Sequence, residues 1–283
     1  MLHNAIERIL EAQGAWADPL GKLFVAIFAA LYKPVPAIKN LLNGVWLGHP
    51  LHPAITDVPI GAFVAAFVLD LLGQRAGATA AIGVGIVFML LAALAGYADY
   101  IDLEGRTQRF GTIHSSLMLV ALVFYLASFV MRLGAVPSAA EVWLAVVGLV
   151  IVVGSAYVGG ELVYNLGTQV DRHAWRGGGT KWAGLDVSDV PEDKPVKAKA
   201  GAQTLVVVRH GKRLDALHDT CAHQGCSLSE GKIVGDAIEC QCHGSRFRIR
   251  DGLVVRGPAV FDQPHYEVRE AEGKLEVRRT ETR

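Results

Sequence analysis

The sequence predicts a two-part protein, an α-helical transmembrane four-helix bundle followed by a C-terminal small all-β domain. Three observations carry that prediction. Four long apolar runs follow one another between about residue 54 and residue 165, a series that a membrane requires and a soluble core does not. Charged residues crowd instead into the first fifty and last hundred positions. In that last hundred, short β-branched or alternating segments stand between Gly and Asp turns, the pattern of a small β domain. The 283 residues leave room for two modest domains. Net charge is zero, with 27 basic and 27 acidic side chains, so nucleic acid is not expected as a partner.

Residues 1–48 are predicted as amphipathic helices, lying at the membrane interface or forming a short soluble helical arm. Leu2, Ile6, Ile9 and Leu10 fall on one helical face opposite Glu7, Arg8 and Glu11. The apolar piece Leu23–Tyr32 is too short to span, and Pro34 and Pro36 stop it. Trp16 and Trp46 suit headgroup depth. Neither a cleavable leader nor a twin-arginine pattern is read in this stretch.

The four spans are expected at about Ile55–Leu72, Ala78–Ala98, Thr112–Met131 and Glu141–Gly160. Each is long enough to cross a hydrocarbon core at helical rise. Gly83, Gly85, Gly96, Gly148 and Gly154 fit membrane helices that approach closely. Short connections predict an up-down-up-down bundle over residues 49–166. Alternating spans place Lys33, Lys39, Arg106, Arg109, Arg172, Arg176 and Lys181 on one side, against Arg75 and Arg132 on the other. The positive-inside rule makes the first side cytoplasmic. The β domain is therefore expected on the cytoplasmic face of a bacterial inner membrane.

Residues 167–184 read as a linker, with Trp175 and Trp182 near headgroups and Gly177-Gly178-Gly179 allowing reorientation. His173 is expected to be solvated there. Over 185–283, strands are predicted at Thr204–Arg209, Asp215–His218, Arg246–Ile249, Leu253–Arg256, His265–Arg269 and Lys274–Arg278, with Lys232–Glu239 leading into a second Cys/His box.

The chemistry of this domain lies in Cys221-Ala222-His223 and Cys240-Gln241-Cys242-His243. Two loops carrying these pairs face to face would offer two sulfur and two nitrogen ligands. That set suits a tetrahedral zinc or a [2Fe–2S] cluster, and ligand count alone does not choose. Gly225 and Gly244 follow the pairs where tight loops must bend. Ser245 can aim a hydroxyl at a cluster sulfur, and Gly257-Pro258-Ala259 gives a stiff turn able to cover the site.

CAHQGCSLSEG, followed by ECQCHGSRFRIRDG and RGPA, resembles a Rieske iron–sulfur domain. The resemblance implies a [2Fe–2S] cluster with Cys221 and Cys240 on one iron and His223 and His243 on the other. It also implies a Cys226–Cys242 disulfide, as in Rieske proteins of quinol-oxidising complexes; the alternative is two small buried thiols. Those high-potential proteins carry Tyr where this chain has Phe247. Loss of that hydroxyl to a ligand sulfur predicts a lower midpoint potential.

In the apolar half, His49-Pro50-Leu51-His52-Pro53 and the following DVPIG run resemble the four-helix membrane family DUF2231, over roughly residues 45–170. Expected on the cluster side are His49, His52, Asp57, Asp99, Asp102, His114, Tyr157, Glu161 and Tyr164. Ionisable groups at membrane depth are costly and mark sites. Three uses are open. His52 and His114 ligate a haem b; or the histidines with Asp57 or Glu161 bind a quinone headgroup; or His49 and His52 merely cap a helix in headgroup water.

The function expected is a membrane-anchored Rieske protein passing single electrons to redox partner proteins or quinone, with Arg246 and Arg248 as a docking rim or a plain solvated face. The alternative is an oxidoreductase subunit whose bundle holds a second redox centre. A self-contained oxygenase is excluded, because a mononuclear iron site on a large catalytic domain has no room here.

Overall fold

A computed structural model of the chain describes residues 2–174 and 180–280. Trp175, Arg176 and Gly177-Gly178-Gly179, on which the flexible-tether expectation rests, lie outside the described residues. The chain forms two compact units, residues 1–42 with 51–168 and residues 43–50 with 169–283.

The first unit is helical: α1 (Leu2–Glu11), α2 (Gly14–Tyr32), α3 (Pro36–Asn43), α4 (Leu51–Leu71), α5 (Arg75–Tyr100), α6 (Gly105–Arg132) and α7 (Ala139–Gly160). A single π turn, Glu161–Asn165, continues α7. Helices α4 to α7 are the four expected spans, each extended by a few residues. They pack as two close pairs, α4 with α5 and α6 with α7.

The N-terminal region departs from expectation in one respect. Helix α2 has 19 residues, so among the described residues five helices, not four, are long and apolar enough to cross a membrane. Asp18 and Lys22 interrupt its apolar pattern, but Asp18 is engaged by Arg109 of α6 through two hydrogen bonds of 2.8 Å. Contacts nevertheless keep both flanks of α2 at one end of the bundle. Glu7 and Glu11 of α1 pair with Arg106 at the start of α6, and Lys39 of α3 pairs with Asp102 in the α5–α6 turn at 2.5 Å. Between them, Gly21 lies against Tyr100 while the Tyr32 hydroxyl donates to the Leu94 carbonyl. Eleven residues of α2, about 16 Å of helix, thus pass six residues of α5, about 9 Å. On α1, Leu10 and Ile6 pack inward, whereas Ile9, expected on the same face, is 62% exposed.

The opposite bundle end holds a buried ionic network that the sequence reading missed. Arg132 binds both oxygens of Asp70, at 2.8 and 2.6 Å. Arg75 binds both oxygens of Glu141, at 2.6 and 2.9 Å. Ser128 links the two, donating to the Glu141 carbonyl and accepting from Arg132. Buried charges require such pairing. Asp70 and Glu141 thus join Arg75 and Arg132, the two basic residues expected at this end.

In the second unit β1 (Ala183–Gly184), β2 (Val196–Ala200), β3 (Gln203–His210), β4 (Arg213–His218), β9 (His265–Ala271) and β10 (Lys274–Arg279) form one antiparallel sheet in the order β1-β10-β9-β4-β3-β2. Strands β5 (Lys232–Val234), β6 (Ala237–Glu239), β7 (Arg246–Arg248) and β8 (Val254–Arg256) form a second, as a meander. Strand β2, absent from the predicted set, reads VKAKA; it alternates correctly, but Ala and Lys are poor strand formers. The core beneath the ligand loops joins Val206, Leu217, Leu228, Ile238, Phe247 and Ile249 to Cys221 and Cys240. His173 is buried, with its ring centre 4.8 Å from that of His218, rather than solvated as expected of a linker residue.

Candidate metal centre

Two loops built on one plan form the site. The first leaves β4, and the second joins β6 to β7. In each, the leading cysteine carbonyl accepts from the amide four residues on: Gly225 N to Cys221 O and Gly244 N to Cys240 O, both at 3.0 Å. In each, the same cysteine's amide donates to the carbonyl five residues on: Cys221 to Cys226 and Cys240 to Ser245, both at 2.8 Å. Gly225 and Gly244 sit at φ +87° and +75°, where a Cβ is strained. The shared plan turns both cysteine sulfurs inward and brings the rings of His223 and His243 to 4.9 Å, at 85° to one another.

The donor set fits a [2Fe–2S] cluster. Cys221 and Cys240 are free and buried, and the amides of the next residues donate to their sulfurs: His223 and Gln224 to Cys221, Cys242 and His243 to Cys240. Such donors stabilise thiolates, the form that binds metal. The two sulfurs also share a hydrogen bond. Through it Cys240 is lowered to about 6, while the same bond and burial push Cys221 up. Cys226 and Cys242 form a disulfide joining the loops. Of the two open readings, thiols or disulfide, the bridge is the one observed.

Ser245 is fully buried, and its Oγ accepts from the Ala259 amide at 3.0 Å. That bond ties the Gly257-Pro258 turn, whose peptide is cis, to the second loop. The serine keeps its hydroxyl hydrogen for donation to a sulfur. Phe247, also fully buried, packs in the same core as both free cysteines.

Two bracing residues escaped the sequence reading. Asp219 receives Ser227 Oγ at 2.6 Å and the Ser229 amide at 2.7 Å, with Lys197 at 3.3 Å. Burial opposes its ionisation, but these donors outweigh burial and hold the carboxyl below its ordinary range. Gln263, fully buried, accepts from the Ala222 amide at 3.0 Å and donates to the His218 and Thr220 carbonyls. Three backbone groups leading into the first ligand loop thus hang on one side chain. Gln263→Leu strips all three, at about 1–3 kcal/mol for each buried group left unpaired. The thermal midpoint followed by cluster absorbance should fall by at least about 5 °C. An unchanged midpoint would mean that the clamp carries no weight.

The expected basic rim is not free charge. Arg246 binds Glu239 at 2.5 Å, and Arg248 binds both oxygens of Asp251.

Of the residues proposed for a membrane site, the helical unit brings His52 to His114 and Tyr157 to Glu161. The rings of His52 of α4 and His114 of α6 lie edge-on, with centres 6.2 Å apart at 86°. Glu161 also meets His3 at 3.3 Å and Asn165 at 3.0 Å. Asp57 is exposed on α4, and Asp99 is buried at the C-terminal end of α5. His49, in the segment grouped with the β unit, is exposed and contacts the Pro50 carbonyl.

A small β unit with two matched Cys/His loops defines the class: a Rieske iron–sulfur electron carrier, holding a [2Fe–2S] cluster. The chain belongs to the Rieske [2Fe-2S] domain family, matched over residues 182–267, and carries a domain of the predicted membrane protein family DUF2231 over residues 48–172. The β unit is 39% identical to ferredoxin CarAc of Metapseudomonas resinovorans over 79 residues, 28% of this chain and 74% of the relative. It is 33% identical to the anthranilate 1,2-dioxygenase ferredoxin subunit of Burkholderia cepacia, over 32% of this chain and 84% of that one. Among solved structures, a chain from the complex of oxygenase and ferredoxin in carbazole 1,9a-dioxygenase matches at 34% identity and a TM-score of 0.32, covering 35% of this chain and 94% of that chain.

Proposed function

We propose that this protein is a membrane-anchored one-electron carrier, with Cys221 and Cys240 on one iron and His223 and His243 on the other. The matched pair of loops is the observation that carries the reading. The cluster supplies reversible one-electron chemistry at the histidine-bound iron. Cys221 and Cys240 hold the inner iron against the core, the Cys226–Cys242 bridge ties the loops together, and Ser245 donates toward a sulfur. Helices α4–α7 anchor the carrier, and by the Lys/Arg distribution the cluster faces the cytoplasm. Relatives named as dioxygenase ferredoxin components favour a soluble oxidoreductase or oxygenase as the exchange partner.

The test is EPR on dithionite-reduced membranes containing the chain. A Rieske signal should appear, stay with the membranes through an alkaline carbonate wash, and titrate as a one-electron couple. An EPR-silent, zinc-loaded site, or a signal released by the wash, would overturn the reading.

Phe247 sets a second expectation. A hydroxyl reaching a cluster sulfur is worth about 1.5–3 kcal/mol as a bond to a charged group. At 59 mV per 1.4 kcal/mol for one electron, Phe247→Tyr should raise the midpoint, with about 60–130 mV as the limit in which the bond is made to the reduced cluster alone. An unchanged midpoint in a folded variant would show that the hydroxyl misses the sulfur.

A further inference from the structure

The core of the helical unit repeats itself at an interval of eleven residues on all four long helices. In one layer α4 and α6 supply Phe63 and Tyr125, while α5 and α7 supply Gly85 and Gly148. A Cβ on Gly85 would overlap the Phe63 ring, and one on Gly148 would come within 2.9 Å of Tyr125. In the next layer the same four helices supply His52, His114, Gly96 and Gly159. A Cβ on Gly96 would lie 2.8 Å from His52 Nδ1, and one on Gly159 would lie 3.2 Å from His114 Cε1. The plan is the same; the filling is not. Phe63 and Tyr125 stack flat, with centres 3.6 Å apart, and close their layer. His52 and His114 stand 6.2 Å apart at 86°.

The hydrogen bonds of the two histidines are also matched. His52 Nδ1 lies 2.8 Å from the Ala92 carbonyl of α5, and His114 Nδ1 lies 2.9 Å from the Ser155 carbonyl of α7. A carbonyl only accepts, so each Nδ1 carries the proton and each Nε2 keeps a lone pair. Ser155 Oγ spends its hydrogen on the His114 carbonyl at 3.0 Å, which leaves it a second acceptor for Nδ1. Backbone support of one ring nitrogen, with the other left as a donor to metal, is the usual arrangement of a metal-bound histidine.

The ring separation also carries geometric information. A metal–nitrogen bond of about 2.0 Å, with about 1.1 Å from nitrogen to ring centre, lets two imidazoles share one ion at centre separations of up to about 6.2 Å. His223 and His243, which share one tetrahedral iron in the reading above, are at 4.9 Å. His52 and His114, at 6.2 Å, lie within that reach. We propose that His52 and His114 are two ligands, through Nε2, of a metal centre held among α4–α7, either a haem iron or a bare transition-metal ion. Glycine at 96 and 159 keeps side chains on the other two helices out of this layer.

The experiment uses the full chain, expressed with a haem precursor and purified in detergent. A visible spectrum, a pyridine haemochrome assay and metal analysis separate the two sources. Haem bands in stoichiometric amount identify the first. A stoichiometric metal beyond the two irons of the cluster, without haem bands, identifies the second. Either should vanish in His52→Ala and in His114→Ala and persist in His49→Ala, with the Rieske EPR signal unchanged in all three. The wild-type chain offers a check that needs no variant, because a bis-imidazole low-spin EPR signal, or two imidazole scatterers by X-ray absorption, should be present. A wild-type chain holding the cluster irons and nothing else would overturn the proposal. The Rieske signal, read in the same sample, reports separately on the carrier function.

Discussion

Serine at either Cys221 or Cys240 is expected to abolish the cluster. Each sulfur is buried and free, and each is reached by two backbone amides of its own loop. A serine alkoxide does not form under these conditions, and no other thiol can replace the lost one, since Cys226 and Cys242 are bonded to each other. Iron content should fall from about two per chain to background, because iron–sulfur clusters depend on their full thiolate set. Alanine at His223 or His243 should also eliminate the Rieske EPR signal. The measurements are iron analysis and EPR on protein that still elutes as a single detergent-solubilised species. Full iron occupancy with an intact signal in both serine variants would place the cluster elsewhere.

Gly252→Ala is expected to be the most damaging single-methyl change in the β unit. Gly252 sits at φ +75°, and an added Cβ would run into the Gln263 carbonyl oxygen. That oxygen belongs to backbone and cannot rotate away. The Gln263 amide also donates to the Gly252 carbonyl at 2.8 Å, so relief requires breaking the bond that sets Gln263. The Gln263 side chain in turn holds Ala222, Thr220 and His218 at the entry to the first loop. Left-handed strain and overpacking each cost about 1–3 kcal/mol, and loss of the Gln263 bonds adds to that. The variant should accumulate without cluster. Gly235→Ala is the control, because Gly235 has φ +62° with nothing within 4 Å of its Cβ. It should cost about 1 kcal/mol and keep the cluster. Equal damage from the two would mean that backbone strain alone, not the Gln263 contact, governs both.

The ligand boxes were legible because their chemistry is local. Each loop closes on itself through hydrogen bonds spanning four or five residues, so spacing in the chain becomes spacing in space. The spans were legible because bilayer thickness imposes a length on any apolar helix. Strand β2 and the length of α2 were harder, for related reasons. Both depend on partners: Val207 and its neighbours for β2, Arg109 for Asp18 in α2. The eleven-residue recurrence of glycine on α5 and α7 stands in the sequence, but it has meaning only once α5 is known to lie against α4 and α7 against α6.

By itself, then, the sequence determined the two-part architecture, the cluster ligands to be expected and the pairing of Cys226 with Cys242 as one of two outcomes. Those features rest on periodicity and on short-range spacing, which a linear chain displays directly. Tertiary structure alone decided that Gln263 braces the first loop, forty-odd residues from it in the chain. It alone decided that Arg132 and Asp70 neutralise one another, and that the rings of His52 and His114 come together. Such contacts join residues far apart in sequence. Their existence depends on which helix faces which, a choice made by packing of the whole unit rather than by any stretch of it.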